Sequence, residues 1–352
     1  MRAFDNISLS ELDRLLGGRE PAVVVVHAHP DGDALGSGMA MVHYLRNMRG
    51  RQALLLIPDA YPDYLSFCVD ADLVIDAFDR RSEALSALSK CGLVICQDFN
   101  EFSRTGVLSE ALHGVKAPKV LIDHHLHPSE EDFDLVFSDT EVSSASELLY
   151  SLLKEMPDVK AAARLPLDVA TPLMVGMTTD TNNFANSVFP STLAMASDLL
   201  AAGVDRDGIL SHLYNQYRPN RLRAMGFCLS ELLKITPDGV AYIVLRESDR
   251  SRLDLREGET EGFVNLPLGV AEVRMSLFLR EDNGHFRVSI RSKKGTSANR
   301  MASTFFHGGG HELASGGKLY FPEDIPDASH AEEYIETVSA RFMRNDVPVE
   351  NK

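Results

Sequence analysis

Apolar and polar positions along this chain follow two different rhythms. In the first half, short unbroken apolar runs alternate with longer stretches whose apolar residues recur every three or four positions. The runs are Val23–Val26, Ala53–Ile57, a weaker Asp72–Ile75, Gly92–Asp98 and Lys119–Asp123. A run that is apolar at every position predicts a strand buried on both faces. The intervening periodic stretches predict helices: one within residues 1–20, capped by Ser8 or Ser10 ahead of Glu11–Leu16, then Ala34–Arg46, a helix opening at Ser143–Tyr150, and Asp168–Met177. Ser191–Ala202, Ile209–Asn215 and Pro219–Lys234 are helical in pattern without a strand between them. From Gly239 the rhythm changes to strands at Val240–Leu245, Val273–Leu279 and Phe286–Ile290, and Asn283-Gly284 between the last two is a strong hairpin signal.

Strands alternating with helices imply βαβ units and a mostly parallel sheet. The fold class expected is therefore α/β, with a parallel sheet flanked by helices over residues 1–190. A helical linker over 191–235 would join it to a smaller α+β domain over 236–345. The tail from about Asn345 is expected to fray.

Composition adds limits. A length of 352 residues suits two domains. No apolar stretch approaches the ~20 residues that cross a bilayer, and Met1–Asn6 lacks the basic start and apolar middle of a signal peptide. Cys68, Cys91, Cys96 and Cys228 show no CxxC spacing, so reduced thiols in a cytoplasmic protein are expected. The formal charge of −16 excludes tracking along long nucleic acid, where Lys and Arg must displace counterions. Small anions remain admissible if metal ions or a local basic cluster receive them.

The candidate chemistry sits where apolar runs stop. The valine run ends at His27, and Asp31 and Asp33 follow within one tight Pro-Asp-Gly turn. Ligands of open α/β sheets collect beyond the carboxyl ends of strands. An imidazole and two carboxylates held there supply most of a metal site, with imidazole shifting the choice toward manganese, iron or zinc. Ordinary turn chemistry, with Asp33 capping the next helix, explains the same residues taken alone. The pattern recurs, however, at Asp98 and at Asp123-His124-His125, and Asp180 is a fourth carboxylate ending an apolar segment. Gly36, Ser37 and Gly38 leave room for backbone or phosphate to approach closely.

A second cluster lies in the C-terminal part: Arg291–Gly295, Phe306–His311 with its three consecutive glycines, and Ala314–Gly317. Three glycines disfavour regular structure and suit a backbone that points its amides at an anion. Arg291, Lys293, Lys294 and Arg300 concentrate positive charge in an acidic chain. A flexible loop beside a solvated basic edge is the plainer alternative.

Together these motifs resemble the DHH phosphoesterase superfamily. The resemblance rests on His27-x-x-x-Asp31-x-Asp33, Asp98, the triplet Asp123-His124-His125, Asp180 in Thr179-Asp-Thr181, and Gly308-Gly-Gly-His311. Glu261–Asn265 with Pro267-Leu268 is similar to the nano-RNase branch, bifunctional oligoribonucleases and 3′-phosphoadenosine 5′-phosphate (PAP) phosphatases. The resemblance implies two divalent cations, manganese before magnesium or cobalt. His27 and Asp31 would hold one cation, Asp33, His124 and Asp180 the other, and Asp98 would bridge them. It implies that Asp123 orients a neighbouring imidazole, and that His125 meets the reacting phosphate or protonates the leaving oxygen. It implies that Arg291, Gly308, Gly309, Gly310 and His311 hold a second phosphate, with Ser292, Asn265 and Arg104 as weaker candidates.

The activity implied is hydrolysis of short oligoribonucleotides, or of the phosphate of PAP, by a hydroxide that two metals activate. The partners expected are short oligonucleotides or a nucleotide bisphosphate, with no long nucleic acid and no membrane, and the chain would be a monomer or homodimer. A cyclic- or linear-dinucleotide phosphodiesterase, a pyrophosphatase or exopolyphosphatase, and a metal-free nucleotide-binding regulator remain open as alternatives. His29 stands where the family commonly has Asn and is expected to add a ligand or a phosphate contact. Asn182 stands for a usual Gly, and Ser315 for an Ala whose replacement is expected to be harmless.

Overall fold

A computed structural model describes residues 4–159 and 164–345; the tail expected to fray, residues 346–352, lies outside the described residues. The chain divides into two units, Met1–Gln216 and Tyr217–Lys352, a division that falls inside the stretch expected to be a helical linker.

The first unit runs α1 (Asn6–Leu16), β1 (Ala22–Val25), α2 (Gly32–His43), β2 (Ala53–Ile57), β3 (Val74–Asp76), α3 (Arg81–Lys90), β4 (Leu93–Gln97), α4 (Ser109–Gly114), β5 (Lys119–Asp123), β6 (Leu135–Ser138), α5 (Ala145–Glu155), α6 (Leu167–Asp180), α7 (Pro190–Ala201) and α8 (Arg206–Tyr214). Its six strands are all parallel, in the order β3-β2-β1-β4-β5-β6. The unbroken apolar runs are explained by a core on each face of the sheet. Val24, Leu55, Ile95 and Ile122 enter the core that includes α2, α5 and α6, while Val23, Val25, Val94 and Leu121 enter the one that includes α3 and α4. Each such fully buried side chain is worth about 1.5–3 kcal/mol, and a polar residue at any of these positions would face one core or the other.

The strand order matters for function. β1 lies between β2 and β4: the chain builds outward from β1 through β2 to β3, then crosses back to β4 on the other side, and the carboxyl ends of β1 and β4 flank the resulting crevice. His27 and Asp98 follow those two ends.

Local expectations needed correction at several points. Asp5, not Ser8 or Ser10, caps α1 by accepting from the Ser8 amide at 2.8 Å, while Ser10 lies inside the helix and donates back to the Asn6 carbonyl. α2 starts at Gly32 because Asp31 caps it, and beyond His43 it widens into a π turn, Tyr44–Met48. The weak run at Asp72–Ile75 is a 3₁₀ turn, Ala71–Leu73, followed by β3. The partly buried edge strand β6 and the short helices α3 and α4 carry no comparable sequence signal.

The second unit contains α9 (Pro219–Phe227), β7 (Lys234–Ile235), β8 (Val240–Leu245), α10 (Glu247–Arg252), β9 (Met275–Asp282), β10 (His285–Ser292), α11 (Ala298–Phe305), β11 (Gly309–Gly310), β12 (Ala314–Tyr320) and α12 (Ala331–Asn345). Its sheet has the order β11-β12-β10-β9-β8-β7, antiparallel except for the parallel pair β8–β9. Asn283-Gly284 closes the β9–β10 hairpin, with Asp282 opposite His285 and Gly284 at φ 73°. The single helix expected over Pro219–Lys234 does not form. α9 stops at Phe227, a π turn covers Cys228–Leu232, and β7 begins at Lys234.

The four cysteines are free; Cys68, Cys96 and Cys228 are buried and Cys91 is half-buried. Among the described residues no helix is long and apolar enough to cross a membrane.

Candidate metal centre

The site is built from strand ends. After β1 the ring of His27 turns inward, and its Nδ1–H donates to the Ala28 carbonyl at 2.9 Å. A carbonyl only accepts, so this bond fixes the tautomer and leaves the Nε2 lone pair for a cation. That Nε2 lies 3.4 Å from Asp98 Oδ2 and 3.8 Å from Asp31 Oδ1. The other oxygen of Asp98 lies 3.4 Å from His124 Nε2, so one buried carboxylate stands between two imidazoles. The chain turns at Asp98 through left-handed backbone, φ 63°, a conformation that costs a non-glycine residue about 1 kcal/mol and clusters at functional sites.

On the far side, His124 Nε2 is 3.5 Å from Asp180 Oδ2 and 4.0 Å from Asp33 Oδ2. The donors form two groups, His27–Asp31–Asp98 and Asp33–His124–Asp180, with the ligand atoms of each group within 4.8 Å of one another. Two imidazoles and four carboxylates are the donor types that divalent cations from magnesium to zinc accept, so the residues present fit a pair of such ions. Asp123 and His125 adjoin them: His125 Nδ1–H donates to Asp123 Oδ1 at 2.7 Å, and the His125 amide donates to Asp123 Oδ2 at 3.1 Å. The imidazole that Asp123 orients is therefore His125, not the adjacent His124.

Comparison with known proteins agrees with this geometry. Residues 21–177 match the model of the DHH family, N-terminal domain, and residues 237–337 match the DHHA1 domain. The chain is 30% identical, over 84% of its length and 89% of the other's, to the probable bifunctional oligoribonuclease and PAP phosphatase NrnA of Streptococcus mutans. It is 26% identical, over 88% and 93%, to the bifunctional oligoribonuclease and PAP phosphatase NrnA of Bacillus subtilis. The crystal structure of an exopolyphosphatase-related protein from Bacteroides fragilis superposes with a TM-score of 0.90 at 30% identity, covering 98% of this chain and 99% of that one.

The chain belongs to the DHH family. It is accordingly a metal-dependent phosphoesterase.

The electrostatics of this DHH site show what cations would do there. Burial, then the charges of Asp98 and Asp180, push Asp33 well above the ordinary carboxylate range. Burial alone would raise Asp98 as well, but His124 and His27 outweigh it and hold Asp98 well below that range. Burial works to lower His124, yet Asp180 and Asp98 carry it up to about 10. His27 is likewise raised, as Asp31 and Asp98 overcome its desolvation. Without cations, protons on the imidazoles neutralise the carboxylates; bound cations would displace them.

Two helix N-termini serve the same cluster. Asp31 caps α2, accepting from Asp33 N at 3.0 Å and Ala34 N at 3.1 Å. Asp33 accepts from the amides of Ala145 (2.6 Å) and Ser146 (3.0 Å), which open α5. The sequence pointed to Ser143–Ser146 as a cap but not to this use of the amides. Asp59 was not among the candidates. His29, expected to ligate a metal or contact phosphate, sits in left-handed backbone (φ 55°) with its Nδ1 2.7 Å from Asp59 Oδ2. Asp59 follows β2 as Asp98 follows β4, so the signal was present: a strand end followed by an acid.

The remaining candidates are distributed as follows. The Arg104 carbonyl accepts from Ala28 N at 2.7 Å and ties the loops after β4 and β1 together. In the second unit, Arg291 lies on β10 next to its last residue, with its guanidinium 3.0 Å from the Ile290 carbonyl. Ser292 is buried, and its hydroxyl donates to the Thr296 carbonyl at 2.6 Å, a structural use that weakens it as a substrate contact. Asn265 lies half-buried in the 3₁₀ segment Phe263–Gly269. His311 opens a tight turn, its amide donating to the Ala314 carbonyl at 2.8 Å. Ser315 donates to the His311 carbonyl at 2.7 Å, so its hydroxyl is accommodated. The glycine run departs from the expected loop: Gly309 and Gly310 pair with Gly316 and Ser315 as β11. A Cβ at Gly308 would overlap the Gly316 carbonyl and come 2.5 Å from Gly317 Cα, so close strand packing already demands glycine there.

Proposed function

We propose that this DHH enzyme hydrolyses short oligoribonucleotides to mononucleotides and removes phosphate from PAP, using two divalent cations, manganese foremost. The observation that supports this most directly is the pair of donor groups meeting at Asp98. His27 and Asp31 would hold one ion, Asp33, His124 and Asp180 the other, with Asp98 shared. When bound, such ions lower the pKa of a water and offset charge on the transferring phosphoryl oxygens. Asp123 holds His125 by Nδ1 and so presents its Nε2 edge, which in this reading meets the phosphate or gives a proton to the leaving oxygen. Arg291, His311 and the glycine amides would anchor a second phosphate and so set how far the cleaved bond lies from the substrate's end. The relatives named as oligoribonucleases and PAP phosphatases support this substrate class. We place the activity in the cytoplasm, in a monomer or homodimer.

Charge supports short substrates. Residues 1–216 hold 16 basic and 31 acidic side chains, and residues 217–352 hold 19 and 20. The acid excess of the first unit disfavours a long polyanion. The test is one time course with Mn²⁺ offering PAP, a ribodinucleotide, a long oligomer and pyrophosphate. Preferred turnover of the first two is expected; turnover of pyrophosphate alone would replace this reading by a pyrophosphatase.

A further inference from the structure

α2 and α6 cross with almost no space between them. A Cβ at Gly36 on α2 would lie 2.5 Å from the Pro172 carbonyl oxygen and 2.8 Å from the Gly176 nitrogen of α6. One turn earlier, a Cβ at Gly32 would overlap Thr179 Oγ1 and lie 2.5 Å from its Cγ2. From the other side, a Cβ at Gly176 would overlap Ser146 Oγ and lie 2.6 Å from Asp33 Oδ1. Real Cβ atoms essentially never approach within 3.0 Å. Ser146 Oγ is fully buried, so the space that Gly176 leaves open lies between a hydroxyl and the Asp33 carboxylate.

The consequence concerns the donors. Asp33 sits in the first turn of α2, between Gly32 and Gly36, and Asp180 ends α6 directly after Thr179. Gly32 and Gly36 are four apart and share a face. We propose, resting on the metal-binding reading above, that Gly32, Gly36 and Gly176 are positioning residues: by letting the α2 and α6 backbones touch, they set the separation of Asp33 from Asp180 and so complete the second cation site. The glycine at 36 thus admits a helix backbone, not a phosphate. A methyl group there must push α6 back by about half an ångström before contact becomes tolerable, the scale on which a preorganised site is lost. Alanine is the better helix former, so helix propensity predicts the opposite outcome, a gain.

Gly38 supplies the control. It lies on the same helix, but a Cβ there would meet Leu55 Cδ1 at 2.8 Å and Val26 Cγ1 at 3.3 Å, side chains of the sheet face. G38A should lower stability without displacing α6.

The experiment titrates Mn²⁺ into the full-length protein by calorimetry and electron paramagnetic resonance, with thermal melts in chelator alongside. Two ions are expected on the wild type. G36A should keep the ion of His27, Asp31 and Asp98 at wild-type affinity and bind the second at least tenfold more weakly, whereas G38A should melt lower yet bind both. G32A should behave as G36A does, and adding T179G, which removes the clashing side chain, should restore the second ion. If G36A does not fold, G32A and its rescue decide. Two ions of wild-type affinity on G36A or G32A, loss of both ions together, or failure of T179G to rescue would overturn the proposal while leaving the proposed function standing. A wild type that binds no Mn²⁺ would overturn both.

Discussion

Asp98→Asn removes a charge and little else. The carboxylate is 2% exposed, with one oxygen 3.4 Å from His27 Nε2 and the other 3.4 Å from His124 Nε2. Even an outer partner of a metal ligand is worth about 10–100-fold in affinity, and Asp98 would serve both ions directly. Mn²⁺ affinity should therefore fall by at least about 100-fold, and hydrolysis at fixed Mn²⁺ by at least as much. The cation-free fold should respond differently. Asp98 is one of the charges that push Asp33 upward, so neutralising it relieves repulsion while it deprives two imidazoles of their partner. With these effects opposed, melting in chelator should move by no more than about 4 °C. Calorimetric Mn²⁺ titration, release of nucleotide from a dinucleotide, and a melt in chelator measure the three quantities. Activity within tenfold of wild type would refute the shared role of Asp98. So would an affinity loss explained by a collapse in melting temperature.

Further outcomes follow from the same geometry. Asp123→Asn should lower kcat about 10–100-fold through misorientation of His125 while both Mn²⁺ ions still bind; loss of an ion instead would make Asp123 a ligand. Arg291→Ala should raise KM for PAP and for a terminally phosphorylated dinucleotide more than for a small chromogenic phosphodiester, whereas equal effects would remove its anchoring role. Ser292→Ala should leave KM unchanged and cost about 1 kcal/mol of stability, the worth of one hydrogen bond, seen as a lower melting temperature. Because His124 is raised to about 10 and His27 is also raised, both rings carry protons at neutral pH that a cation must displace. Mn²⁺ affinity should therefore rise from pH 6 to pH 9 with protons released, read as a calorimetric enthalpy that varies with buffer ionisation; an affinity independent of pH would contradict these protonation states.

Much of the first unit was legible because buried parallel strands write themselves as unbroken apolar runs, and the donors stand at the ends of those runs. His27, Asp98 and His124 needed only the rule that strand ends gather ligands. What the sequence concealed depends on contacts between distant segments. The amides of Ala145 and Ser146 reach Asp33 across more than a hundred residues, and backbone amides carry no sequence letter. Asp59 follows a strand end as the donors do, but its role shows only where its carboxylate meets His29. The triple glycine was read as a ligand loop because its entropy disfavours regular structure. The nearness of β12 makes glycine necessary there and draws the segment into the sheet. Short, partly buried elements such as β6 lacked the periodicity on which a reading depends.

The central claim is that six side chains from the first unit hold two divalent cations. Anomalous scattering from a crystal of the protein grown with Mn²⁺ tests it directly. Two peaks are expected, one among His27, Asp31 and Asp98 and one among Asp33, Asp98, His124 and Asp180. A single peak, or peaks away from Asp98, would contradict it.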